Sequence, residues 1–262
     1  MPRIQMMEKN LLNDLCQRFV LTFNISYLPD SYMTNKDTTT TGTGHLTTTT
    51  AALTTHSTTT VTTTCPPNPI NIETLGCKAA EIVIMIEHSH YENQRDVKDE
   101  GDIIQHLANN WKIGPNRVRV GVVPYHNTAT DAIRITDNLS SGDLFREGND
   151  LTRHLSASGS ANLAKAFDFV RDNSFMGARH GIPKVVVVLI NALDNNRGEL
   201  LAAARRLKED CVNIITLFIA QHSPENDQLV QQIASQPNYL FYKKYNSYQN
   251  LEDKTFSGDF KC

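Results

Sequence analysis

Residues 184–190, Lys-Val-Val-Val-Val-Leu-Ile, constrain the fold of this chain more than any other stretch. Successive side chains of a β-strand point to opposite faces. A strand with one wet face alternates apolar and polar residues; this one is apolar on both faces. Such a run belongs in the middle of a parallel sheet with helices covering each side. The six apolar residues 185–190 are far fewer than the roughly 20 that a membrane-spanning helix needs, so no membrane span is expected.

The neighbouring segments alternate in type. Residues 81–86 read as an apolar strand after Glu81. Val97, Ile103, Ile104, Leu107 and Trp111 recur at helical spacing. Residues 117–125 read as a strand entered through the turn Gly114-Pro115-Asn116. Residues 132–135 suit a short edge strand, and Leu163, Ala166, Phe167 and Val170 form one helical face. A helix over 200–207, a buried strand over 212–219 and a helix over 229–234 follow. A short strand over 239–242 and a helix over 248–253 complete the pattern. This alternation predicts an α/β fold: a doubly wound, mostly parallel, Rossmann-like central sheet flanked by helices with right-handed crossovers.

Upstream the composition changes. Residues 38–64 hold 17 threonines in 27 positions. Such a tract buries too little apolar surface to offset the entropy of ordering it. The expected organisation is an unassigned segment at 1–37, possible remnant of an upstream module; a threonine-rich, disordered, mucin-like linker at 38–76; and the α/β domain at 77–262. Threonine dominates over glycine and serine, which favours an O-glycosylated stalk over a plain flexible linker. Asn24-Ile25-Ser26 and Asn138-Leu139-Ser140 are acceptor triplets for N-glycosylation. They agree with secretion. Residues 15–28 are moderately apolar, but Asp14 and Arg18 interrupt any hydrophobic region of signal-peptide type, and no small-residue cleavage site follows. Either the chain is intracellular or its start is incomplete.

Several functions are disfavoured. The formal net charge is −3 and the basic residues are scattered along the chain, so neither nucleic acid nor a membrane surface is an expected partner. The cysteines Cys16, Cys65, Cys77, Cys211 and Cys262 form no CxxC pair. Gly-x-Gly-x-x-Gly, Walker and Gly-x-Ser-x-Gly motifs are missing. Ser89 with His88 or His90 is the one nucleophile–base pair a hydrolase would use. Neighbours along a loop rarely reach triad geometry, and no orienting acid is identifiable. The chain is expected not to be an enzyme.

Four ordered segments resemble the von Willebrand factor type A (vWA) family in its matrilin- and collagen-like extracellular branch. They are Glu81-Ile82-Val83-Ile84-Met85-Ile86-Glu87, the run from Lys112-Ile113-Gly114-Pro115 through Val118-Arg119-Val120-Gly121 to Tyr125, the loop Ser158-Gly159-Ser160, and residues 184–191. The resemblance implies an adhesion or protein-binding module with a divalent-cation site where loops leave the C-terminal ends of the strands. The family builds that site from Asp-x-Ser-x-Ser, a threonine on a second loop, and an aspartate after the central strand.

Here the first motif reads Glu87-His88-Ser89-His90-Tyr91. The threonine corresponds to Ala161, or to Ser160 with a one-residue shift, and the aspartate to Asn191. Only Glu87 remains ionised at a matching position. Mg²⁺ dehydrates reluctantly and demands near-ideal octahedral geometry. The resemblance therefore implies a degenerate site, no cofactor, and at most weak Mg²⁺ or Ca²⁺ binding. A zinc reading of His88 and His90, with Glu87 or Asp194, lacks a clear third ligand. Recognition would rest on the loops carrying His88, His90, Ser160, Asn162, Asn191 and Asp194, with a matrix or cell-surface protein as ligand. The alternative is an intracellular vWA scaffold in a multiprotein complex.

Several extracellular vWA domains join their ends covalently, which implies a Cys77–Cys262 disulfide contributing roughly 5 kcal/mol in the chain-entropy model. Cys65 is a rival partner for either cysteine. Cys211 reads as a small packed thiol, and Cys16 has no evident partner.

Overall fold

A computed structural model describes residues 65–89, 94–154, 159–193, 196–219 and 223–262. Asn24, His90, Tyr91 and Asp194 lie outside them, as does the threonine tract up to Thr64. Strands β1 (Ala80–Glu87), β2 (Val118–Tyr125), β3 (Lys184–Ile190), β4 (Val212–Phe218) and β5 (Tyr242–Lys244) form one sheet in the order β2-β1-β3-β4-β5. Every neighbouring pair is parallel. The helices are α1 (Gln94–Asn110), α2 (Ser141–His154), α3 (Leu163–Phe169), α4 (Arg197–Glu209), α5 (Pro224–Ile233), α6 (Asn238–Phe241) and α7 (Tyr248–Ser257).

The valine run behaves as its pattern requires. Val185, Val187 and Leu189 join one apolar core; Val186, Val188 and Ile190 join the other. Ile82, Ile84 and Ile86 of β1 face the first core, Val83 and Met85 the second. β2 and β3 lie on opposite sides of β1, so the chain reverses its winding between β1 and β3. The crevice beyond the C-terminal ends of those two strands is where ligands bind in open α/β sheets.

Four sequence expectations are corrected. Residues 132–135 form no strand: Ile133 makes an isolated antiparallel bridge to Val122, and Ile135–Asp137 turns into a 3₁₀ helix. The Asp137 carboxylate accepts from the Arg134 N–H at 2.8 Å, a local bond that competes with strand pairing. Residues 239–241 belong to α6, and the last strand starts only at Tyr242. Residues 65–76 are not linker-like: Ile70, Ile72 and Leu75 are core residues. Asn68 Nδ2 donates to the Lys184 carbonyl, and Asn213 Nδ2 donates to the Ile70 carbonyl, so this strap is sewn across β3 and β4. Cys211 is not a free thiol, because it is bonded to Cys65. A second disulfide joins Cys77 to Cys262.

Helix α2 has no counterpart in the sequence reading. Its segment is polar, and Leu144 is its one fully buried apolar residue. Gly148 lets it approach α1: a Cβ there would fall 2.6 Å from Ile104 Cγ2.

At the N-terminal edge of the sheet, Glu81 is fully buried between two arginines. Its Oε2 accepts from Arg119 Nε at 2.8 Å, and its Oε1 accepts from the Arg179 guanidinium. Arg179 also donates to the carbonyls of Pro115 and Arg117. This one carboxylate fastens β1, β2 and the segment before β3. Removing one partner of a buried ion pair costs about 3–5 kcal/mol because the other charge is left uncompensated. Glu81→Gln should lower the unfolding free energy by about that amount in urea titration; a loss below about 1 kcal/mol would show that the arginines are held by the carbonyls alone.

Candidate functional site

The candidate site lies at the winding reversal. β1 ends at Glu87, whose carboxylate is fully buried. Its Oε2 accepts from the backbone N–H groups of Asn191, at 3.0 Å, and Ala192, at 2.7 Å. Its Oε1 accepts from the Ser89 hydroxyl at 2.5 Å. Both carboxylate oxygens thus carry internal hydrogen bonds, and those from the loop after β3 cross the crevice. Glutamate's extra methylene relative to aspartate lets the carboxylate extend toward that loop.

Ser89 is fully buried too, and its hydroxyl is turned inward onto Glu87. His88 corrects an expectation: it is no loop contact, being 1% exposed. Its N–H donates to the Tyr125 carbonyl at 2.7 Å, extending the β1–β2 pairing past the strand end and keeping the residue inside. Burial, with a further push from His126, depresses the His88 imidazole from 6.5 to about 4. Tyr125 is fully buried beneath this corner, its phenol donating to the Leu189 carbonyl at 3.1 Å.

The second loop is built on the first. Asn127 Oδ1 accepts from the Ser160 N–H at 3.0 Å, and the His126 carbonyl accepts from the Asn162 N–H at 3.0 Å. Gly159 sits at φ +72°, with Asn127 so near that any Cβ would collide with it. Asn162 then caps α3 by accepting from the Lys165 N–H. Ser160 is exposed, whereas Ala161, the ungapped counterpart of the threonine, packs into the core and offers no side-chain oxygen. Asn191 is half-buried.

Fold and sequence thus bring Glu87, Ser89, Asn191, Ser160 and Asn162 to one edge. The sequence reading missed His126; its position directly after β2, next to Tyr125, the register partner of Glu87, was the available signal.

The profile of the von Willebrand factor type A domain matches residues 81–255. The chain belongs to the vWA family. Human vitrin is 26% identical over 174 residues, covering 65% of this chain and 24% of vitrin. Mouse collagen alpha-5(VI) chain is 22% identical over 184 residues, covering 67% of this chain and 7% of the collagen. The vWA chain therefore spans a quarter or less of these relatives. Proximal thread matrix protein 1 from the mussel byssus superposes with a TM-score of 0.60 at 22% identity, covering 69% of this chain and 47% of that one. That mussel protein is also described with a zinc-occupied metal-ion-dependent adhesion site, at a TM-score of 0.56.

The buried imidazole makes a prediction about acid. The folded state keeps His88 neutral down to about pH 4, whereas the unfolded chain takes up its proton near 6.5. Unfolding therefore binds a proton in that window. Stability is full above pH 6.5 and falls as pH drops, by up to about 3 kcal/mol at pH 4. Urea unfolding at pH 6.5 and 5 should show a drop that His88→Gln reduces. An equal drop in the variant would place the titrating group elsewhere.

Proposed function

We propose that this vWA domain is a non-enzymatic, extracellular protein-binding module that holds its partner by direct loop contacts, without a working metal-ion-dependent adhesion site. The engagement of both Glu87 oxygens by Ser89, Asn191 and Ala192 carries the reading. A Mg²⁺ ion requires close-set oxygen ligands near 2.1 Å and a charge balance. The residues here do not fit that requirement. One carboxylate stands where the family sets two, and its lone pairs already serve N–H and O–H donors. Asn191 is neutral and Ala161 has no ligand atom. Binding a dication would mean breaking the Glu87 bonds to the loop after β3 and leaving buried donors unsatisfied, at roughly 1–3 kcal/mol each.

The partner contacts are then the exposed or half-buried groups of this edge, Ser160, Asn162 and Asn191, with His90 and Asp194 as further candidates. A matrix or cell-surface protein is the proposed ligand; the collagen chains among the relatives support it. Among the described residues no helix is long and apolar enough to cross a membrane. Both disulfides favour an oxidising compartment. The threonine-rich segment would act as a glycosylated stalk holding the domain away from its attachment. Ser89, buried and donating to Glu87, supports the non-enzymatic reading over hydrolysis.

Two measurements test this. Calorimetric titration with Mg²⁺ and with Mn²⁺ should give no heat of specific binding; micromolar affinity abolished by Glu87→Ala would overturn the reading. Asn138 is exposed in a left-handed turn at φ 52°. The protein secreted from animal cells should carry a glycan there, seen as a mass shift removed by peptide N-glycosidase and by Asn138→Gln. A secreted protein with bare Asn138 would contradict that assignment.

A further inference from the structure

We propose that the N-terminal edge of the sheet, opposite the loop site, is a docking surface for a sulfated linear polysaccharide. The cations that make it are far apart in sequence and are gathered by the fold. Lys78 and Lys261 each adjoin one half of the Cys77–Cys262 disulfide. Lys112 donates its backbone N–H to the Gly76 carbonyl, which places it beside the same bridge. Arg117 precedes Val118, the register partner of Ala80, so it leaves the edge one strand from Lys78. Lys254 lies in the last turn of α7, where Asn110 Nδ2 donates to the Thr255 carbonyl at the foot of α1.

All five are exposed, and none makes an ion pair within the described residues. Elsewhere cations are commonly neutralised, as Lys98 is by Asp102, Arg206 by Asp168 and Lys244 by Asp227. Of the nearby carboxylates, Asp253 beside Lys254 is exposed and Gln249 donates to it, whereas others are held by cations. Glu81 is shared by Arg119 and Arg179, leaving that buried trio with one excess positive charge, and Asp259 pairs with Lys243. Glu73 is the exposed acid of the neighbouring turn.

The ligand class follows from the arrangement. The cations are all exposed and spread around a rim on four separate segments, which suits repeated charges along a polymer better than one small anion. A chain of net charge −3 repels polyanions on average, so retention requires such local segregation. Neutralising a polyanion releases its condensed counterions, so binding should weaken steeply with salt. Sulfated polysaccharide is the polyanion of the extracellular matrix, and this choice rests on the extracellular placement proposed above. It does not depend on the loop edge, which the metal titrations address separately.

The test is chromatography of the full chain on immobilised heparin, used as the sulfated probe. Wild-type protein should stay bound at about 0.15 M NaCl and elute at higher salt. The variant K78Q/K112Q/R117Q/K261Q should run through, and Lys165→Gln, on the opposite edge, should elute with wild type. De-sulfated heparin should retain none of them. Circular dichroism checks that the quadruple variant is folded; if it is not, Arg117→Glu alone should lower the eluting salt. Wild-type protein in the flow-through, or variants eluting with wild type, would overturn the proposal. So would sedimentation with phosphatidylserine vesicles without heparin retention, which would assign the edge to membranes.

Discussion

The loop edge of this domain depends on one hydrogen-bonded carboxylate. Glu87 ends β1 fully buried, and two backbone N–H groups and a serine hydroxyl donate to its carboxylate there. Those donors come from β1's own continuation and from the loop after β3. The same bonds that satisfy the charge therefore bridge the crevice at the winding reversal. In a vWA domain that crevice is where the cation belongs. Here its principal anionic group is spent on holding the protein to itself.

β1 carries a buried glutamate at each end, and their surroundings give them opposite roles. Glu81 meets two arginines, and the cluster keeps a positive excess at the base of the sheet. Glu87 instead accepts from the Ser89 hydroxyl and the backbone N–H groups of Asn191 and Ala192. A buried, neutral His88 lies between Glu87 and Ser89. Protonating that imidazole would bury a cation next to His126, at the energetic cost of desolvating it. The upper edge is thus a packed corner with polar loops at its rim, and the lower edge is a cationic rim around a disulfide.

Much of the fold was legible because it obeys periodicity. The run 185–190 could only be an interior parallel strand, and the spacing from Val97 to Trp111 could only be a helix. What escaped was held together by other means. Helix α2 rests on a local cap at Ser140 and Asp143 and on the close approach permitted by Gly148, neither of which leaves an apolar stripe. The strap at 65–76 buries three apolar residues with no period and is fixed by asparagine side chains and a disulfide. At the site, residue types and spacing identified Glu87, Ser89 and Asn191. They could not show that Ser89 turns inward or that His88 is buried, because both depend on β1 continuing one residue past its expected end. The basic rim was invisible for a related reason: charges scattered along a chain say nothing about which of them the topology brings together.

The account stands on Glu87 being locked by protein donors and closed to cations. A crystal grown in millimolar Mn²⁺ and measured at the manganese absorption edge reads this directly. The account predicts no anomalous peak beside Glu87, with the carboxylate still bonded to the N–H groups of Asn191 and Ala192. A peak ringed by six oxygens, with Glu87, Ser89 and the Asn191 side chain among its ligands, would contradict it.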